Sequence, residues 1–185
     1  MSKVFSALAT SADGYITGRD PRPGHGLGDG GVLFDWYSDP RNAAVYQGLV
    51  DRVGAVVTGR TTYDDSEGFD GGGPHPSAPM VVVTHRPAPA EYADSGTQHF
   101  AGSIESAIEQ ARKLAGDKEV AIQGGVTLTA AIAAGLVDEV VIHQVPVLLG
   151  GGRRLFHDLP GQTRLALIEA TPAAGVLHLR YRIEK

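Results

Sequence analysis

Two glycines, Gly124 and Gly125, follow an apolar run from Val120 to Ile122 and precede Val126-Thr127-Leu128, the start of a further apolar stretch that closes at Gly135. Read locally, this is a strand that ends in a tight glycine turn and opens a short helix, with Gly135 at the helix C-terminus. Glycine lets the backbone approach a ligand closely, and the unpaired N–H groups and positive dipole end of a helix favour an anion. The chemistry on offer is the seating of a nucleotide phosphate.

Two more strand ends carry residues of the same kind. Gly59-Arg60-Thr61-Thr62 follows Ala55 to Thr58, and Thr84-His85-Arg86 follows Met80 to Val83. Threonine hydroxyls can donate to a pyrophosphate, and Arg60 or Arg86 can add charge-assisted bonds to a phosphate. Taken singly, either arginine is equally an ordinary surface charge. In an open α/β sheet, however, the carboxyl ends of neighbouring strands converge on one crevice, so three such ends make a shared site. An Arg beside a Thr just past a strand suits an adenosine that carries an extra phosphate, which favours NADPH over NADH.

The elements that must position these residues follow from pattern. Val4 to Ala9 reads as a first strand, and Ser11-Ala12-Asp13-Gly14 as a tight connection. Arg19 to Gly31, rich in Gly and Pro, reads as a long surface loop of the kind that covers a site. Asp39-Pro40 starts a helix that runs through Val50, and Ser103 caps an amphipathic helix that ends at Gly116. After Asp138 only strands are expected: Glu139 to Val145, Leu165 to Ala170 and Val176 to Ile183. Alternating strands and helices followed by terminal strands imply an α/β fold, a mostly parallel mixed sheet covered by helices, with antiparallel strands at its C-terminal end.

At 185 residues and 42% hydrophobic, the chain suits one domain with one well-buried core. A net charge of -5 offers no basic footprint, so neither nucleic acid nor an anionic membrane surface is expected as a partner. Without cysteine there is no disulfide, no thiolate metal site and no cysteine nucleophile. No apolar stretch reaches membrane-spanning length, and a cytoplasmic protein is expected. Gly26-Leu27-Gly28-Asp29-Gly30-Gly31 satisfies G-x-G-x-x-G but follows Pro21-Arg22-Pro23 instead of a strand, with no helix start after it, and reads as loop. The seven histidines show no close pair at metal-binding spacing, and Asp64-Asp65 with Glu67 reads as a solvated helix end.

Ser11-x-Asp13-Gly14, Ala55 to Tyr63, Gly124-Gly125, Asp138-Glu139 and Pro146-Val-Leu-Leu-Gly150-Gly151-Gly152-Arg-x-Leu155-Phe156 occur in an ordered series along nearly the whole chain. Together they resemble the reductase domain of the bifunctional riboflavin-biosynthesis deaminase-reductase, within the dihydrofolate-reductase-like superfamily. The resemblance implies a dihydrofolate-reductase-like three-layer α/β/α fold and a bacterial homodimer. It also implies NADPH as hydride donor to a small heterocycle, as in 5-amino-6-(5-phosphoribosylamino)uracil reductase. Its cofactor contacts map to Ala9 through the backbone, Trp36 at the site mouth, Gly59 to Thr62, Thr84 with Arg86, and Gly124, Gly125, Val126, Thr127 and Leu128. Asp13 and the Phe34-Asp35-Trp36 region would lie near nicotinamide and substrate.

Two positions that the resemblance implies hold the substrate depart from the pattern: Gln123 stands where these reductases usually carry Glu, and Val50, by ungapped counting back from Gly59, where they carry Arg near the end of the first helix. A zinc deaminase half would need cysteines that the chain lacks. Trp36 can equally be a core residue or stack on a cofactor, and Asp13 can simply stabilise the Asp-Gly turn. If a side chain donates the proton, Asp13 or Asp35 is the candidate, after burial has raised its pKa. Two other readings share the crevice: a non-catalytic nucleotide- or metabolite-binding protein, and a reductase that uses a flavin or deazaflavin.

Overall fold

The computed structural model describes residues 2–92 and 95–185. Eight strands form one sheet: β1 (Val4–Ser11), β2 (Val53–Gly59), β3 (Met80–Val83), β4 (Gln98–Ala101), β5 (Glu119–Gln123), β6 (Glu139–Val145), β7 (Leu165–Ala173) and β8 (Val176–Ile183). Their spatial order is β4-β3-β2-β5-β1-β6-β8-β7. The first six in that order are parallel, and β8 and β7 close the sheet as an antiparallel hairpin against β6. The central strands are short apolar runs, as strands covered on both faces require.

Among the described residues, four α-helices cover the sheet: α1 (Ala43–Arg52), α2 (Arg60–Asp65), α3 (Ile104–Ala115) and α4 (Gly125–Ala133). On one face, Ala107, Ile108 and Ala111 of α3 and Leu128 and Ala131 of α4 pack on Val57, Val81, Val120 and Ile122. Ser103 caps α3 through a capping box with Ser106, as its position before the amphipathic run predicts. The opposite face carries α1, α2 and a 3-10 turn at Gly31–Ser38, making three layers. Asp39 caps the short turn Pro40–Asn42 that leads into α1 by accepting from the Arg41 N–H. Among the described residues, no helix is long and apolar enough to cross a membrane.

Two elements differ from the sequence reading. β4 has no marked periodicity in its sequence, Gln-His-Phe-Ala, and forms because Met80 to Val83 offers it an open parallel edge. Val32 to Phe34 do start a helical turn, but of the 3-10 kind and out of a loop, so the glycines before it still lack the strand that a dinucleotide fingerprint needs.

Candidate active site

The strand order sets β3, β2, β5 and β1 side by side, with their carboxyl ends on one edge. Gly59 ends β2 and caps α2, and Gly124 follows β5 and caps α4; neither helix start receives a side-chain cap. The two turns face each other. A Cβ on Gly59 would come within 2.5 Å of Thr127 Oγ1, and one on Gly124 within 2.9 Å of Thr62 Oγ1. Gly124 also sits at φ 92°, which disfavours any side chain, and a Cβ on Gly125 would run into the carbonyl of Arg154. These contacts leave two threonine hydroxyls and the free N–H groups of a helix's first turn at the floor of one crevice.

That crevice is a cavity of about 1520 Å3. Drug-sized ligands occupy roughly 300 to 1,000 Å3, so there is room for a dinucleotide and a second molecule. The structure brings Gly59, Arg60, Thr61 and Thr62 together with Gln123, Gly124, Gly125, Val126 and Thr127 in its wall, and adds Ala9 and Phe34. The long loop closes over it through Gly24, Gly26 and Leu27, held by the Gly24 N–H bond to the Asp65 carbonyl. Arg153 pins the same corner by pairing with the buried Asp65 carboxylate.

Six residues named from the sequence lie elsewhere. The Asp13 carboxylate accepts from Leu149 N–H at 3.1 Å and Gly150 N–H at 2.8 Å, outside the cavity wall. Led by the Ser11 hydroxyl and aided by those N–H groups, the surroundings hold its pKa below the ordinary value, the reverse of the rise a proton donor needs. Asp35 is exposed on the 3-10 turn and lies outside the cavity wall. Trp36 is core: its ring stacks on Tyr37 at 4.0 Å and packs on His143 and His178. Thr84 and Arg86 stop short of the wall, because Arg86 turns to Asp64 at 3.1 Å, where Arg60 already binds at 2.6 Å. Leu128 is fully buried, and its N–H closes the first α4 bond to the Gly124 carbonyl.

Sequence reasoning missed other wall residues. Tyr37 and Tyr46 meet edge to face at 5.1 Å, and burial, then Tyr46, pushes the Tyr37 phenol up to about 12. His75 contributes a fixed ring: Nδ1 accepts from Ser77 and Ala78 N–H, and Nε2 donates to the Val50 carbonyl at 3.0 Å. The available signal for Tyr37 was its place beside Trp36 in an aromatic turn. For His75 the flanking prolines pointed only to a loop.

A three-layer fold with a cleft at the carboxyl ends of parallel strands and an antiparallel C-terminal hairpin defines a dihydrofolate-reductase-like α/β protein. Within that class the chain belongs to the RibD C-terminal domain family, whose pattern matches residues 2–179. It is 29% identical to the uncharacterised protein YwjB of Bacillus subtilis (strain 168), over 97% of each chain. A Shewanella sp. PV-4 protein named for riboflavin biosynthesis superposes with a TM-score of 0.77 at 27% identity, covering all of both chains. Acinetobacter baumannii RibD superposes at 0.65 and 21% identity, with this chain spanning 59% of it. Dihydrofolate reductase from Enterococcus faecalis, solved with NADP(H), superposes at 0.64 and 16% identity, over 99% of this chain and 97% of that one, and shares the fold.

Proposed function

We propose that the chain is an NADPH-dependent reductase of a pyrimidine- or pteridine-like heterocycle. The observation that carries this reading is the pair of glycine-capped helix starts, Gly59 and Gly124, facing each other across Thr62 and Thr127 on the floor of a large cavity. A pyrophosphate-bearing cofactor fits these residues, since a Cβ at either glycine would fill the cradle and both helix starts lack a side-chain cap. Gly124, Gly125, Val126 and Thr127 would hold the pyrophosphate, Thr61 and Thr62 would add hydroxyl donors, and Arg60 would meet the adenosine phosphate.

When bound, the nicotinamide supplies a hydride to a C=N or C=O group. The chain's own part is positional. Backbone N–H groups and threonine hydroxyls fix one ligand, the aromatic wall orients the other, and the loop carrying Gly24 and Leu27 keeps bulk water out. Family membership and the NADP(H) held by the Enterococcus faecalis enzyme support the choice of cofactor. By the same family reasoning the protein works in the cytoplasm as a homodimer, which light scattering of the purified chain checks.

Calorimetric titration with NADPH and NADH, followed by assay of NADPH consumption with added pyrimidines and pteridines, tests the reading. Tighter NADPH binding and a reduced heterocycle are expected. Binding of neither nucleotide sinks it. Binding without any reduced product would point to a metabolite-binding protein, and a retained yellow chromophore to a flavin or deazaflavin in place of NADPH.

A further inference from the structure

The cavity has two chemically different halves. Its charged wall residues, Arg60, Asp65, Glu67, Arg153 and Arg154, come from α2, the segment after it and the stretch past β6. Among the described residues, none comes from β1, the 31–38 turn, α1 or β5. There the wall is Phe5, Ala7 and Val56 of the sheet against Leu49 and Val50 of α1, with Phe34, Tyr37 and Tyr46 at the side.

Helix α1 buries none of its residues. Helices in proteins are stabilised mainly by packing an apolar face, and this one packs only partly: Leu49 rests on the Phe5 and Val56 cluster, yet Leu49 and Val50 also line the cavity. Phe34 and Tyr46 are large aromatics left 37% and 42% exposed at the same place, a geometry suited to stacking on a flat ring. Both His75 nitrogens are committed to backbone groups, so that ring offers a ligand no polar atom.

Among the described residues, one polar side chain reaches this half from the sheet. Gln123 lines it, and its Oε1 is buried with no hydrogen-bond partner, beside the equally unpartnered Thr58 Oγ1 on the paired strand. A buried amide oxygen left without a partner costs about 1 to 3 kcal/mol, which a ligand with a donor on a matching edge would offset. The basic residue of α1's last turn cannot serve. Arg52 lies over the Phe5 ring at 4.2 Å but pairs its charge with Glu119 at 2.7 Å and Glu139 at 3.3 Å, at the opposite end of β5 from Gln123.

We propose that the compartment beneath α1 takes an uncharged, planar heteroaromatic substrate that bears no phosphate, and that Gln123 selects it by pairing with an amide-type edge. The assignment of this ligand as the substrate rests on the reductase reading above. A phosphorylated substrate would bring its charge into a wall of phenyl, phenol and alkyl groups with no cation among the described lining residues of this half, a desolvation that burial strongly disfavours. Gln123 and Val50, both uncharged, line the same cavity from β5 and α1, so the selectivity belongs to both elements.

Calorimetry on the full chain, with NADPH present and absent, tests this with three probes: lumazine, a neutral dioxopteridine, and the matched pair uridine and uridine monophosphate. Lumazine should bind, and uridine should bind about tenfold or more tighter than its monophosphate. Gln123→Leu should weaken lumazine by about tenfold, and Tyr46→Ala, at an exposed position that leaves the fold intact, by several fold. With NADPH filling the phosphate seat, equal or tighter binding of the monophosphate overturns the proposal, as does an unchanged lumazine affinity in both variants or no lumazine binding at all. The two readings fail separately: lumazine binding without NADPH binding sinks the reductase alone, and NADPH binding without lumazine binding sinks this compartment's assignment.

Discussion

His143 on β6 and His178 on β8 are cross-strand partners joined by a single hydrogen bond, Nδ1 to Nδ1, of 2.7 Å. One proton serves both atoms, so one ring carries hydrogen on Nδ1 and the other on Nε2. Both Nε2 atoms and Trp36 Nε1 are buried without a partner, and the indole lies 4.7 and 5.0 Å from the two imidazoles. Burial first, then His178, pushes His143 down to about 3. Burial also lowers His178, with Glu169 on β7 opposing it.

Acid should therefore unfold this protein early. An unfolded histidine takes up a proton near its ordinary value of about 6.5, which folded His143 refuses until about pH 3. The contribution of the neutral pair is whole above about 6.5 and is lost as pH falls from there towards 3. Down to about pH 5 the loss from His143 alone is roughly 2 kcal/mol. Urea midpoints across this range should drop, and drop less in a His143→Leu, His178→Leu double variant. A flat profile in the parent chain would refute the argument.

The glycine cradle predicts a separation of binding from stability. Gly59 has ordinary extended dihedrals, so Gly59→Ala strains no backbone and only drives its methyl towards Thr127 Oγ1. NADPH affinity should fall by about tenfold with little change in melting temperature. Gly124→Ala should do both, since φ 92° costs a side chain roughly 1 to 2 kcal/mol as well. Arg60→Ala should instead erode the preference for NADPH over NADH, by about tenfold if its guanidinium meets the extra phosphate.

Asp13→Ala should loosen structure without touching the pH dependence of turnover. Its carboxylate ties the β1 turn to Leu149 and Gly150, and its lowered pKa keeps it ionised at neutral pH. A lower melting temperature with an unchanged pH profile of kcat is expected. A lost basic or acidic limb in that profile would return Asp13 to a proton-transfer role.

Legibility followed the range of the interactions involved. The phosphate-suited turns at Gly59 and Gly124 were readable because a strand, a glycine and a helix start are local events, and parallel pairing then had to bring their ends together. Thr84 and Arg86 sit beside a correctly read strand, yet Arg86 is drawn to Asp64, a contact that depends on where α2 happens to turn. Trp36 was ambiguous in sequence because an aromatic suits both a core and a cofactor face; the histidines on β6 and β8 decide it, and they lie far away in the chain. Gln98 gave no sign at all, because its work is done on a loop some thirty residues upstream.

That work yields the last prediction. Glu67, Gly68, Phe69, Asp70 and Gly71 all have left-handed dihedrals, with φ of 49°, 67°, 52°, 50° and 79°. For each of the three that bear side chains this costs about 1 to 2 kcal/mol, so the turn needs a tether. Buried Gln98 supplies it: Nε2 donates to the Gly68 and Gly72 carbonyls at 2.7 and 2.9 Å, and Oε1 accepts from the Tyr63 hydroxyl at 3.0 Å. Gln98→Ala removes all three bonds and should destabilise the protein by about 2 kcal/mol. Because Glu67 lines the cavity, the released turn should also weaken ligand binding and expose residues 67–72 to proteolysis. A variant with parent-like urea midpoint and protease resistance would show that the left-handed turn holds itself.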